Sequence, residues 1–76
     1  MELTYYCDNG RHLVCKPYSI ENLHKMAADL NIAQNWYHRG RFPHYDIPKL
    51  RINEIQDKCN VVSSTDIVRI IKGELS

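Results

Sequence analysis

Apolar and polar positions alternate in two different rhythms along this chain. At the N-terminus Leu3-Thr4-Tyr5-Tyr6-Cys7 has the β-branched and aromatic content of a strand. Asn9-Gly10 follows, a strong short hairpin signal, because a type I′ turn needs positive φ at both central residues. His12 to Cys15 is then the returning strand. A two-residue turn sets Asp8 against Arg11, Cys7 against His12 and Tyr5 against Val14. It gathers Leu3, Tyr5, Cys7, His12 and Val14 on the core face.

After Pro17 the rhythm changes. Ile20, Leu23, Ala27 and Leu30 recur at helical spacing with Met26 beside them, so a helix is expected over about residues 20–30. Ser19 is placed to cap it, Glu21 suits its first turn, and Asn31 suits a left-handed close. Ile32 and Trp36-Tyr37 read as a short extended segment. Arg39-Gly40-Arg41-Phe42-Pro43 reads as a basic loop running into His44-Tyr45-Asp46. Asp46 is the expected cap of a second helix, with Pro48 in its first turn and Leu50, Ile52, Ile55 and Cys59 on its apolar side. Val61-Val62 is a short β-prone stretch. Ser64 or Thr65 should cap a last helix that turns Ile67, Val68, Ile71 and Leu75 inward, with Gly73 near its end. The expected class is α+β: a small mixed sheet, made of the N-terminal hairpin and short strands, packed in two layers against about three helices.

Composition bounds this picture. Seventy-six residues make one domain, spanning 1–76. An apolar share of 43% supports a core and excludes a disordered chain. A domain this small buries only about 60% of the surface its unfolded chain exposes. The three cysteines, Cys7, Cys15 and Cys59, are odd in number and lack CxxC spacing, which points to a reducing, cytoplasmic setting. Met1-Glu2-Leu3-Thr4 opens into a strand pattern without the basic start and apolar run of a signal peptide. No apolar run approaches the ~20 residues that span a bilayer, so no membrane association is expected.

A net charge of +1 gives no global attraction for nucleic acid, but the charge is segregated. Between residues 38 and 51, Arg39, Arg41, Lys49 and Arg51 oppose only Asp46. Trp36, Tyr37, Phe42 and Tyr45 are interleaved with them. Basic groups for phosphate and aromatic faces for bases suit a nucleotide or a single strand, and a helix start would add backbone donors. The plainer account of the segment is a solvated basic loop anchored by its aromatics.

Four histidines are present: His12, His24, His38 and His44. No HxxxH or HExxH pair occurs, so there is no local zinc signature and no cofactor is expected. A divalent metal would need a site assembled in space from His12, His24, His44, Asp8 and Asp46. His24, on the apolar stripe, is more simply a core histidine with one hydrogen bond. A Cys7–His12 pair across the hairpin is more simply packing than a nucleophile.

Taken in order, His12-Leu13, Glu21-Asn22-Leu23-His24-Lys25-Met26-Ala27, Trp36-Tyr37, His44-Tyr45-Asp46-Ile47 and Lys49-Leu50-Arg51 form a set. From about Tyr5 to Val68 the chain resembles a family of small bacterial and phage proteins known only as domain of unknown function 4031. The family is marked by a His-Tyr-Asp motif. The resemblance implies a polar site shared by three segments of chain, carried here by Asp8, His12, His24, Trp36, His44, Tyr45, Asp46, Lys49 and Arg51. It implies no reaction. The link between Asp8 and His12 is short beside that of many relatives, and Leu50 splits a basic pair that many hold side by side.

The expectation is therefore a phosphate-bearing ligand, nucleotide or nucleic acid. Arg39, Arg41, Lys49 and Arg51 would neutralise phosphate, with Asp8 in the same site. Tyr45 or Trp36 would stack. His12, His24, His44 and Asp46 form the inner shell, and His44 serves as acid or base if there is phosphate or phosphodiester chemistry. The rival expectation is a phage-encoded module that blocks a host or defence protein through its basic-aromatic surface, without catalysis. A pocket where His24, His44 and Asp46 converge favours the first. A flat patch around Arg39 to Phe42 with dispersed histidines favours the second.

Overall fold

A computed structural model describes residues 2–73. Its first two strands, β1 (Thr4–Cys7) and β2 (His12–Lys16), form the expected antiparallel hairpin in a different register. Tyr5 lies opposite Cys15, Tyr6 opposite Val14 and Cys7 opposite Leu13. Three residues, Asn9, Gly10 and Arg11, separate Asp8 from His12. Arg11 takes the left-handed conformation at φ 73°, as three-residue hairpin loops require. The Asp8 side chain overrides the Asn-Gly preference: Oδ1 accepts hydrogen bonds from the backbone N–H of Gly10 at 2.8 Å and of His12 at 3.0 Å. The faces are re-sorted as a result. Tyr5, Cys7, Leu13 and Cys15 share one side of the sheet; Tyr6, Asp8, His12 and Val14 share the other. The expected grouping of Cys7 with His12 does not form.

α1 (Ile20–Asp29) begins where its cap predicts, with Ser19 Oγ accepting from the Asn22 N–H, and Asn31 follows in the left-handed region at φ 60°. Leu23, Met26, Ala27 and Leu30 are buried, while Ile20 is half-exposed. The Tyr5 hydroxyl donates to Asp29 Oδ2 at 2.8 Å, which lays α1 over the Tyr5–Leu13 side.

The stretch from 34 to 47 departs most from expectation. A 3₁₀ turn (Gln34–Trp36) leads into β3 (Tyr37–His38), and His44-Tyr45-Asp46 is not a loop but strand β4. β3 and β4 form a second hairpin with Arg39-Gly40-Arg41 near its tip. β4 also pairs with β2, His12 opposite Asp46 and Leu13 opposite Tyr45. Asp46 therefore caps no helix. Pro48 disfavours the helical region at Ile47, and the Ile47 N–H extends the ladder by donating to Arg11 O at 2.9 Å. The second helix starts late. A 3₁₀ turn (Lys49–Arg51) precedes α2 (Ile52–Gln56), which has no side-chain cap, and Leu50 is fully exposed rather than inward-facing.

β5 (Asn60–Val61) joins parallel to β1, giving the order β3-β4-β2-β1-β5. α3 (Ser64–Lys72) is capped by Ser63, one residue earlier than expected, and ends at Gly73 with φ 74°. Leu75 lies outside the described residues. Ser64 Oγ donates to Asp8 Oδ2 at 2.6 Å, so α3 covers the side opposite α1. The α+β class holds, but helices cover both sides of the sheet in place of a two-layer stack. Leu13, Val14 and Cys15, successive residues of the central strand, are accordingly all fully buried. Among the described residues no helix is long and apolar enough to cross a membrane.

Candidate functional site

Strand pitch divides the His-Tyr-Asp tripeptide. Successive side chains of β4 point to opposite sides, so His44 and Asp46 face α3 while Tyr45 faces α1. The cross-strand partners follow suit: His12 lies opposite Asp46 and His38 opposite His44. Three histidines from three strands thus gather round one carboxylate. His38 Nε2 is 2.8 Å from Asp46 Oδ2, and His44 Nε2 is 3.3 Å from Oδ1. The His38 and His44 rings stack at 5.1 Å, and His12 meets His44 edge-on at 4.9 Å.

Asp8 holds His12. It is buried, and its Oδ2 lies 2.9 Å from His12 Nδ1 and accepts from Ser64. Burial alone would raise its pKa. The hydrogen bonds from Ser64, from the His12 side chain and from its backbone N–H, with the His12 charge, together bring the carboxyl below its ordinary value. An ionised carboxylate only accepts, so His12 Nδ1 donates to it, leaving Nε2 uncommitted to Asp8. His44 is set the same way by another device. Its Nδ1 lies 2.7 Å from the Phe42 carbonyl, which can only accept, so Nε2 is the nitrogen turned to Asp46. A Cβ at Gly10 would stand 3.3 Å from the His12 ring and 3.4 Å from Asp8 Oδ1, a tight contact that the ring would have to relieve by a small shift.

The other side of the sheet holds a separate group. His24 Nδ1 meets the Tyr45 hydroxyl at 2.7 Å, and the His24 ring packs edge-on against Tyr37 and Tyr45. Contrary to the expectation, His24 therefore does not converge with His44 and Asp46; the sheet lies between them. Tyr45 is buried, which raises its hydroxyl pKa and leaves its ring no face for a ligand. Trp36 is partly buried against the core.

The basic residues also divide. Arg39, Arg41 and Lys49 are exposed. Arg51 is committed to the fold: its guanidinium donates to the carbonyls of Leu30 and Asn31 at the end of α1 and to both oxygens of Glu54. Arg41 sits 5.6 Å from the Phe42 ring, and Lys72, from α3, sits 5.8 Å from the same ring. Phe42 lines a cavity of about 150 Å³ with His12, His44, Ser64, Ile67, Val68 and Ile71. His38, Phe42, Ser64 and Lys72 were not among the expected site residues. The His38–His44 pairing becomes visible only once both are placed on strands, and nothing local in the sequence ties α3 to the cluster.

The cysteines take no part. Cys7 faces away from His12, and burial pushes Cys15 up to about 11 and Cys59 up to about 12, far from a reactive thiolate.

Every member of the cluster falls in a single family match. Residues 8–74 match the model described as Protein of unknown function (DUF4031). The chain belongs to this family. The match begins at Asp8 and takes in His12, His38, His44, Asp46, Ser64 and Lys72. No curated protein and no solved structure matches the chain.

Proposed function

We propose that this protein binds a phosphate-bearing ligand, a nucleotide or nucleic acid, on the α3 side of its sheet. One observation carries the reading: His12, His38 and His44 gather round Asp46 beside Phe42, against whose ring both Arg41 and Lys72 rest. Arg41 and Lys72, 5.6 and 5.8 Å from the Phe42 ring, would attract phosphate to this side. Arg39 and Lys49 would act only at longer range, and Arg51 has four of its five N–H donors engaged by Leu30, Asn31 and Glu54. The cavity is small beside the roughly 300 Å³ at which ligand pockets begin. Its walls are largely apolar, so a terminal phosphate or a backbone linkage would lie at its rim beside His12, His44 and Ser64, with the rest of the ligand along the β3–β4 turn. In phosphodiester chemistry, His12 Nε2, which Asp8 does not engage, would be the nitrogen nearest the ligand to exchange a proton.

His24 stands apart from His44 and Asp46, so the expected convergence of those three does not favour this reading. What supports it is the gathering of His12, His38 and His44 round Asp46, and docking onto a host protein through the exposed Arg39 and Arg41 is the alternative. A cytoplasmic setting, in a bacterium or a phage-infected cell, belongs to the same proposal and rests on the three unpaired thiols and the family resemblance.

The test is NMR mapping with inorganic phosphate, adenosine monophosphate and short single-stranded and duplex DNA at low and high salt. Shifts should cluster at residues 12, 38–46 and 72 and weaken with salt. Paired substitution R41A/K72A should weaken binding at least tenfold without unfolding the chain. Absence of any response at low salt, or shifts confined to Lys49 and Arg51, would overturn the reading.

A further inference from the structure

His44 is oriented by its Nδ1, which lies 2.7 Å from the Phe42 carbonyl. Its Nε2 is thereby turned to Asp46 Oδ1, 3.3 Å away. The ligand atoms of His12, His44 and Asp46 all lie within 4.8 Å of one another.

We infer that His12, His44 and Asp46 bind a first-row divalent transition-metal ion such as zinc, cobalt or manganese. Two donors each about 2.1 Å from one ion lie roughly 3.0–3.4 Å apart at tetrahedral to octahedral angles, and the His44–Asp46 separation falls in that range. His12 needs to approach by about an ångström or so to complete such a set. Its side chain is 43% exposed and has room to tilt about its Asp8 anchor.

The surroundings of the three donors are those of a ligating set. Metal-bound histidine donates its other ring N–H to a carboxylate or carbonyl, which fixes the tautomer and the ring plane. Asp8 does this for His12 and the Phe42 carbonyl does it for His44. Asp46 is held in turn by His38 through Oδ2, leaving Oδ1 for the ion. Two imidazoles and one carboxylate leave coordination positions open, and the adjoining cavity between Phe42, Ile67 and Val68 is where water or a phosphate oxygen would take them. Arg41 and Lys72 repel a free cation, so selection must come from the nitrogen ligands. That argues for a transition metal over magnesium or calcium.

The inference goes beyond the phosphate reading and stands without it, because metal alone is the probe. Tag-free protein is titrated with zinc by calorimetry and with cobalt by visible absorption, in phosphate-free buffer. One ion per chain is expected, with cobalt giving a nitrogen–oxygen ligand spectrum. H12Q, H44Q and D46N should each weaken binding at least tenfold, and H24Q, across the sheet, should leave it unchanged. Should a variant fail to fold, manganese-induced line broadening on the wild-type protein gives the answer directly. Broadening centred on residues 12, 44 and 46 supports the site. Broadening centred elsewhere, the absence of zinc or cobalt binding, or binding that survives combined H44Q/D46N substitution overturns it. Metal uptake with no response to phosphate would sustain this site and defeat the ligand reading; the reverse result would do the opposite.

Discussion

His24 and Tyr45 meet through a 2.7 Å hydrogen bond on the α1 side of the sheet, isolated from the His44 and Asp46 that flank Tyr45 in the chain. Replacing Tyr45 by Phe keeps the ring in the core and removes only the hydroxyl. The expected loss is about 1 kcal/mol of stability by urea denaturation. Zinc uptake and phosphate-induced shifts should be unchanged.

Asp8 serves four donors: the N–H groups of Gly10 and His12, the His12 ring and the Ser64 hydroxyl. D8A leaves several of them unpaired where the carboxylate was buried and should cost about 3 kcal/mol or more by chemical denaturation. For a chain whose whole stability is on the order of 4–11 kcal/mol, that is severe. S64A removes one bond and should cost about 1 kcal/mol.

Arg51 and Arg41 should behave as opposites. R51M unties α2 from the last carbonyls of α1, so it should lower the melting temperature while phosphate binding persists. R41A should leave the melting temperature within a degree or two and weaken binding of phosphate-bearing ligands.

Glu54 gives a pH test. Its hydrogen bonds with Arg51 hold its pKa down at about 2 against an ordinary 4.5. A depressed carboxylate pKa stabilises the folded chain above the ordinary value, and that contribution is lost as pH falls toward the folded value. E54Q should therefore be less stable than wild type at neutral pH. Its stability should decline less between pH 4.5 and 2, and the two curves should converge near pH 2. Thermal melts across that interval measure it.

How much of this was legible in the sequence depended on element length. α1 and α3 carry full helical periods and side-chain caps, so their positions were readable to within a residue or two. β4 has only three residues, too few to show a period of two, and His44-Tyr45-Asp46 read as a loop. Pro48 was taken as a helix opener when its steric effect on Ile47 delays the helix. The hairpin register turned on Asp8, whose side chain competes with the Asn-Gly turn in a way that local propensity does not encode.

The site was half legible for the same reason. Asp8, His12, His44 and Asp46 were picked out by residue type, and the structure brings them together. His24 was grouped with them because sequence order does not say which side of a sheet a residue faces. His38 needed the β3–β4 pairing, and Lys72 needed the docking of α3.

The Ser64–Asp8 hydrogen bond joins residues 56 positions apart, the first turn of the chain to its last helix. Ile67, Val68 and Ile71 of that helix also wall the cavity beside His12 and His44. On a ribosome, then, the first hairpin, with its Asp8–His12 pair, is synthesised long before the helix that closes over it. The pocket comes into being only when α3 emerges and docks. A chain truncated before Ser64 would retain nearly every charged group of the cluster and lack the wall that Ile67, Val68 and Ile71 supply.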